Sequence, residues 1–282
     1  MFIFYVLLFF IFLSVGSFLN VLAYRVTFDK QFFRPRSHCN NCDVLIAWYD
    51  NIPIFSWIVL GGKCRKCKAK ISSLYPFIEM LTAIVLTVVF VKIFSINFAA
   101  KEFFEGIEIV RLGQRTIFDF SLHNVFRFIV NFIFFSSLIV ATRTDLEAMV
   151  IPQCFSLWLV PFVIISSYFG LTNTSPFGSV LGVVIGYGVL WLVAKVFKKL
   201  TGREGLGGGD MDFLALIGSF LGPLGVWMTL MIGSISGLLC GVLYLLLSRK
   251  NLRAKIPFGP FLALGAFLYF IFEKFFFKLF FL

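Results

Sequence analysis

Residues 34–70, RPRSHCNNCDVLIAWYDNIPIFSWIVLGGKCRKCKAK, form the one long polar stretch of a chain that is otherwise almost entirely hydrophobic. The stretch contains two Cys-x-x-Cys pairs, Cys39/Cys42 and Cys64/Cys67. Four thiolates with this spacing can close a tetrahedral zinc site, and bound zinc can fold a domain too small to be stabilised by apolar burial. The stretch therefore predicts a compact zinc-binding insertion.

The paired cysteines have a second interpretation, as two redox dithiols. Neither pair lies in the strand-to-helix context that is typical of thioredoxin-like sites, and a reducing cytoplasm favours metal binding over disulfides at this spacing. The sequence favours Zn²⁺ as the cofactor, with the dithiol interpretation still open. The predicted ligands are Cys39, Cys42, Cys64 and Cys67.

The rest of the chain has the composition of a membrane protein. Of its 282 residues, 60% are hydrophobic, 14% are charged and 40 are Phe, which excludes a soluble globular domain. Residues 1–24 lack a basic start and a small-x-small cleavage site, so we expect a retained transmembrane helix. The expected fold is an all-α polytopic membrane protein with about eight transmembrane helices and a small cytoplasmic zinc-binding insertion after the first helix. Further spans are predicted at about 76–98, 124–142, 152–170, 176–197, 212–224, 225–248 and 257–281.

The distribution of Lys and Arg predicts the orientation. These residues concentrate in 25–75 and in later loops on the same side, which the positive-inside rule makes cytoplasmic, so the N-terminus is expected outside. Three domains are expected: the first transmembrane helix at 1–24, the four-cysteine zinc domain at 25–75, and a membrane core at 76–282. The net charge of +11 is spread over several loops, which fits contact with anionic membrane lipid better than binding to nucleic acid, so no nucleic-acid partner is expected.

Acidic residues are few, and five of them lie at the predicted cytoplasmic ends of spans. An acid at a bilayer boundary is costly unless it is paired or used, which makes these five functional candidates. A helix N-terminus also favours carboxylates, and this plainer explanation applies most strongly to Asp212. The five residues are Asp145, Glu147, Glu204, Asp210 and Asp212.

Asp210 is distinguished by the glycines before it, Gly207, Gly208 and Gly209. Glycine lets a second backbone approach closely and permits positive φ, which would place a carboxylate against a substrate peptide bond. No Gly-Lys-Ser/Thr follows, so a phosphate-binding loop is excluded. Residues two apart on a helix do not face each other, so a carboxylate pair has to join two segments, and we expect Asp145 and Asp210 at the same cytoplasmic depth. Two such carboxylates can share a proton, one acting as base toward water and the other as acid toward the leaving amine, which is the chemistry of peptide-bond hydrolysis.

Five blocks of the sequence occur in an order that is similar to one known family. They are GSFLNVLAYR at 16–25, the cysteine stretch extended to 34–79, TDLEAMVIP at 144–152, TGREGLGGGDMDFLALIGSFLG at 201–222 and IPFGPFLALGA at 256–266. Together they resemble the type IV prepilin peptidases, which are membrane aspartic proteases. The resemblance implies that Asp145 and Asp210 are the catalytic aspartates, with Asp210 ending a Gly-x-Gly-Asp signature, and that the four paired cysteines bind zinc.

The resemblance also implies the reaction and its location. A short basic leader would be cut, after Gly, from a type IV prepilin or pseudopilin at the cytoplasmic face of a bacterial inner membrane. The new N-terminal residue would then be methylated with S-adenosylmethionine as methyl donor, and the complete cysteine island favours retention of this second activity. The sequence contains no recognisable cofactor-binding fold, so it predicts no residues for the methyl donor, and it leaves the natural pilin and the oligomeric state open.

The chain departs from the family pattern at two positions near the proposed dyad. Asp212 stands where Lys is usual, and Gln153 follows the Ile-Pro pair where Asp is usual. Together with Glu147 and Glu204, Asp212 would surround the cleft with negative charge that can hold a basic leader.

Three other functions fit parts of the sequence. A non-catalytic membrane assembly factor of a pilus or secretion system would have the same scaffold, but the two aspartates and the glycine run argue against it. Presenilin-type proteases share a Gly-x-Gly-Asp block but lack the paired cysteines. A transporter is the generic alternative for a chain with eight spans.

Overall fold

The computed structural model describes residues 2–28, 37–39, 41–95, 119–203, 205, 207–248 and 256–281. The described residues form α-helices joined by loops and short 3₁₀ turns, which confirms the expected all-α fold. The helices are α1 (Phe2–Thr27), α2 (Phe55–Val59), α3 (Leu74–Phe94), α4 (Leu122–Ala148), α5 (Val160–Tyr168), α6 (Pro176–Thr201), α7 (Gly208–Ser248) and α8 (Gly259–Phe281).

Six of the described helices are long and apolar enough to cross a membrane, namely α1, α3, α4, α6, α7 and α8. The chain is therefore a multi-pass membrane protein, as predicted. The span predicted at 152–170 is not one helix: it begins with two 3₁₀ turns and ends with the nine-residue α5. Ser156, with φ −131° and ψ −92°, separates the two turns, and Pro161 fits the start of α5 because the first helical turn needs no N–H from it.

Helix α7 contains 41 residues and is broken at Gly222, whose φ of 75° and ψ of −176° are not helical. Pro223 follows, and a proline inside a helix removes one hydrogen bond of the ladder. The first arm runs antiparallel to α6, since a Cβ added to Gly186 would meet Leu214 at 2.6 Å while Gly222 lies beside Thr174. The two arms correspond to the spans predicted separately at 212–224 and 225–248, so the prediction of about eight spans holds approximately.

The chain divides into two compact units, Met1–Val88 and Val89–Leu282. In the first unit, α1 packs closely on α3 at Gly16, where an added Cβ would lie 2.8 Å from the Cα of Glu79. The side chain of Asn20 donates to the carbonyl of Tyr75 at 3.0 Å, and both Asn20 and Ile78 are fully buried. The three domains expected at 1–24, 25–75 and 76–282 remain a prediction.

The core of the second unit is built largely from phenylalanine. Phe134 of α4 stacks on Phe220 of α7 with ring centroids 4.0 Å apart and an interplanar angle of 8°. Phe135 meets Phe270 of α8 edge to face at 4.9 Å. All four rings are buried, and such aromatic pairs add stability beyond the area they bury. The stacking fixes α4 against α7 and α8, the three helices that carry Asp145, Asp210 and Gly259.

Candidate active site and metal centre

Four cysteine thiols of the first unit converge on one point. The Sγ atoms of Cys39, Cys42, Cys64 and Cys67 all lie within 4.8 Å of one another. The Sγ atoms of Cys39 and Cys67 are 3.7 Å apart. Thiolates bound to tetrahedral zinc at about 2.3 Å are separated from each other by roughly 3.8 Å. The four sulfur atoms therefore fit the donor set of a metal ion, at the residues that the sequence predicted.

Each Cys-x-x-Cys pair lies in the same type of backbone turn. The first cysteine of each pair donates its N–H to the carbonyl five residues later, at 3.0 Å for Cys39 and 2.9 Å for Cys64. The residue four positions after that cysteine has a left-handed φ, 50° at Asp43 and 59° at Lys68. Left-handed backbone is costly for residues other than glycine, so its repetition indicates that both halves are shaped for one purpose.

Hydrogen-bond donors point at the thiols of the second pair. The N–H of Ala69, followed by the side-chain amide of Asn41, lowers the pKa of Cys67 to about 6. The N–H groups of Cys67 and Lys66 lower the pKa of Cys64. Since the thiolate is the form that binds metal, these contacts favour a cation at the centre of the four sulfurs.

Two further contacts of the first unit hold the loop between the cysteine pairs. Arg65 makes a two-pronged ion pair with Asp50, with N–O distances of 2.6 and 2.8 Å, and it lowers the pKa of Asp50. The buried carboxylate of Glu79 accepts the N–H of Ile54 at 2.7 Å. Ile54 has a φ of 62°, which is rare for a β-branched residue, so Glu79 holds a strained turn in place.

In the second unit, Asp145 and Asp210 come from different helices and lie near each other. Asp145 is three residues before the end of α4 and only 6% exposed. Asp210 lies in the first turn of α7 and is half-buried. The two carboxylates are close enough to interact electrostatically. The structure thus brings together the two aspartates that the sequence singled out.

The carboxylate of Asp145 is held by the start of the last helix. The N–H of Gly259 donates to Asp145 Oδ2 at 2.8 Å. A Cβ added to Gly259 would lie 2.8 Å from the same oxygen and 3.2 Å from Ile151 Cδ1. Only glycine allows so close an approach of the backbone to a side chain.

The three glycines before Asp210 have different surroundings. A Cβ on Gly209 would lie 3.1 Å from the Cβ of Ile151 and 3.3 Å from its carbonyl oxygen. A Cβ on Gly207 would be 3.7 Å from Asp210 Oδ2, while Gly208 has open space around it. None of these three described glycines has a left-handed φ, so the positive-φ turns expected of them are not observed. Gly209 instead lies where the chain's own Ile151 approaches closely, so a larger residue there would be crowded.

The acids expected around the dyad differ in their contacts. Asp212 is 7% exposed, and its Oδ2 accepts a hydrogen bond from Gln153 Nε2 at 3.3 Å. Glu147 makes an ion pair of 2.5 Å with the fully buried Arg143, one turn earlier in α4. Glu204 lies outside the described residues.

Sequence reasoning missed three residues of this site, Arg143, Ile151 and Gly259. An arginine inside an apolar span is itself a signal, because such a residue needs a partner. For Gly259 the signal was a glycine between Phe258 and Pro260 at the start of the last span, where a helix N-terminus offers free N–H groups. Nothing local to Ile151 indicated its position between two glycines.

The fold and these two sites define a class: a multi-pass, all-helical membrane protein with a pair of neighbouring aspartates and a cluster of four thiols that could hold a metal ion. The chain belongs to the type IV leader peptidase family, whose model matches residues 132–242, and the bacterial peptidase A24 N-terminal domain matches residues 10–93. The resemblance inferred from the sequence is thereby confirmed.

Several curated relatives match the chain along most of its length. A protein of Aeromonas salmonicida (strain A449) is 31% identical over 279 residues, covering 90% of this chain and 85% of the relative. One of Pseudomonas putida is 31% identical over 278 residues with the same coverages, and one of Dichelobacter nodosus is 32% identical over 287 residues, covering 92% and 88%. All three are named prepilin leader peptidase/N-methyltransferase. No solved structure matches the chain significantly.

Proposed function

We propose that this chain cleaves the basic leader of a type IV prepilin or pseudopilin after a glycine and then N-methylates the new N-terminal residue. The names of the relatives support both activities in general terms. The proposed cleavage activity rests on one observation: the carboxylates of Asp145 and Asp210 come from separate helices and lie near each other in a site that excludes most solvent. Two nearby carboxylates avoid a double negative charge by sharing one proton, which gives one base and one acid.

In this mechanism the ionised carboxylate takes a proton from a water molecule as the water oxygen attacks the carbonyl carbon of the scissile peptide. The protonated carboxyl group then gives its proton to the leaving amine as the C–N bond breaks. The leader ends in a new carboxylate and the pilin begins with a new amine. No covalent intermediate with the enzyme forms, and the dyad ends the cycle with one proton, as it began.

The leader would be held by negative charge next to the dyad. Three acids were expected to supply this charge: Glu147, Glu204 and Asp212. Because Arg143 neutralises Glu147, most of the negative charge would come from Asp212 and Glu204. A basic leader drawn to such a cleft should bind more weakly as salt rises.

Methyl transfer from S-adenosylmethionine rests on the names of the relatives. The described residues contain isolated β-bridges but no strand, so they supply no Rossmann-type nucleotide site, and no residues are assigned to the methyl donor. Cys39, Cys42, Cys64 and Cys67 would hold Zn²⁺, which would supply a fixed shape for the loop between them. We place the enzyme in the bacterial inner membrane, with the N-terminus outside and the dyad on the cytoplasmic side.

The test uses the full chain, purified in detergent, and a prepilin with a basic leader and a Gly-Phe junction. The mass of the product is followed with and without S-adenosylmethionine. The variants Asp145→Asn and Asp210→Asn remove one carboxylate each, and Asp119→Asn is the matched control, an exposed aspartate before α4. We expect loss of the leader plus one methyl group for the wild type and the control, and an intact substrate for both dyad variants.

Two other results would change the conclusion. Cleavage by either dyad variant at the wild-type rate would refute the proposed roles of Asp145 and Asp210. If the wild type leaves several such prepilins intact, the peptidase assignment fails, and a non-catalytic assembly role becomes the better explanation.

A further inference from the structure

At the start of α8, the N–H of Gly259 is a backbone donor that the helix itself does not use. The N–H groups of Phe261 and Leu262 both donate to the carbonyl of Phe258, at 3.1 and 3.2 Å. Pro260 has no N–H. The N–H of Gly259 has no acceptor within its own helix, and it donates to Oδ2 of Asp145 at 2.8 Å.

Asp145 needs such a partner because it is almost fully buried. A carboxylate removed from water is costly unless it accepts hydrogen bonds, and a bond to its charged form favours ionisation. The positive end of the α8 dipole lies at the same place and acts in the same direction. The geometry thus gives Asp145 a fixed orientation, and the hydrogen bond and the dipole offset part of the cost of burying its charge.

We propose that the backbone N–H of Gly259 positions Asp145 for catalysis in the dyad with Asp210. The inference rests on the proposed peptidase function. It also explains why residue 259 is glycine: a Cβ there would lie 2.8 Å from Asp145 Oδ2, closer than real Cβ atoms approach an oxygen.

Ile151 offers a competing explanation for any effect of a side chain at position 259. Its Cδ1 would lie 3.2 Å from a Cβ on Gly259, and its Cβ would lie 3.1 Å from a Cβ on Gly209, next to Asp210. A larger residue at 259 can therefore act through Ile151 on the Asp210 segment instead of acting on Asp145. The experiment has to separate these two routes.

The direct test removes the N–H and adds no atoms. Replacing the amide between Phe258 and Gly259 by an ester, through glycolic acid incorporated during cell-free synthesis of the full chain into lipid nanodiscs, deletes this donor. The matched control is an ester at Phe261, made with phenyllactic acid, which deletes another donor at the same helix start. Both proteins and the wild type are assayed for kcat and KM on a prepilin with a basic leader.

We expect the ester at 259 to lower kcat roughly ten- to hundredfold, the value of a hydrogen bond to a charged group, with KM within about twofold of the wild type. The ester at 261 should leave kcat near the wild-type value. Equal kcat values for the two esters, or a change in KM alone at 259, would overturn the proposal.

A second series tests the steric part. Gly259→Ala should lower kcat, and adding Ile151→Val should not restore it, because valine removes Cδ1 but leaves the clash with Asp145. Restoration by Ile151→Val would show that the effect runs through Ile151 and would overturn the inference. If Gly259→Ala does not fold, the esters still decide. If the wild type cleaves the prepilin and both ester proteins have the same kcat as the wild type, this inference alone fails. If the wild type cleaves no prepilin, the proposed function fails and this inference fails with it.

Discussion

Gly186 of α6 lies in close backbone contact with the segment that carries Asp210. A Cβ at this position would lie 2.6 Å from the carbonyl oxygen of Leu214 and 3.0 Å from its carbonyl carbon. Both atoms belong to the backbone, which cannot relieve the clash by a change of rotamer as a side chain can. A carbon–oxygen contact normally needs about 3.3 Å, so Gly186→Ala should push α6 and the first arm of α7 apart by roughly 0.7 Å.

This displacement has two expected costs. Overpacking of this kind lowers the free energy of unfolding by about 1–3 kcal/mol. Leu214 lies about one helical turn after Asp210, so the shift also moves that carboxylate relative to Asp145. A misplacement of about 1 Å costs on the order of a hundredfold in rate, so we expect kcat to fall about tenfold.

The matched control is Gly188→Ala on the same helix, where an added Cβ has nothing within 4 Å. Both variants gain the helix propensity of alanine, so the comparison isolates the steric clash. The free energy of unfolding is measured by SDS titration in detergent micelles, and kcat is measured on a prepilin. Equal stability and equal kcat for the two variants would refute the reasoning that α6 and α7 are in backbone contact at Gly186.

Three other predictions follow from the remaining contacts. Cys64→Ser should lower the zinc content, expected at one ion per wild-type chain and measured by plasma mass spectrometry. It should also increase the rate of trypsin cleavage within residues 37–70. An unchanged cleavage rate would contradict the metal assignment. Glu79→Leu should lower the free energy of unfolding by about 1–3 kcal/mol because it leaves the N–H of Ile54 unsatisfied, whereas Glu79→Gln should cost less; equal effects would argue against this hydrogen bond. Asp212→Asn should raise KM for a basic leader at low salt but not in about 0.5 M salt, where charges are screened over about 4 Å; a KM that does not change at low salt would remove Asp212 from leader binding.

The features that the sequence predicted correctly are those encoded by short-range patterns. Hydrophobic runs of about 20 residues predict long membrane helices, because a bilayer requires that length. The spacing of Cys39, Cys42, Cys64 and Cys67 predicted the cluster because each Cys-x-x-Cys turn can present two thiols to one metal ion. Asp145 and Asp210 were selected because acids are rare in this chain and these two lie at the predicted ends of its spans; the structure places them near each other, and their catalytic role stays a prediction.

Other features depend on contacts between distant parts of the chain. Gly259 and Asp145 are 114 residues apart, and no local pattern indicates that one donates to the other. The 3₁₀ turns before α5 form where a continuous helix was expected, because the apolar run from 152 to 170 does not distinguish one helix from a turn followed by a short helix. The pairing of Glu147 with Arg143 was missed because the acid was considered for its charge alone.

Gln153 and Asp212, the two departures from the family pattern, turn out to contact each other through a hydrogen bond of 3.3 Å. With the usual Asp at position 153 and the usual Lys at position 212, the same geometry would join a carboxylate to an ammonium group, and the pair would have no net charge. In this chain an amide donates to a carboxylate, so the contact between the Ile-Pro turn and α7 is kept while one negative charge is added beside Asp210. The consequence is electrostatic: the cleft of this enzyme should favour a leader with more positive charge than the cleft of a Gln153→Asp/Asp212→Lys variant.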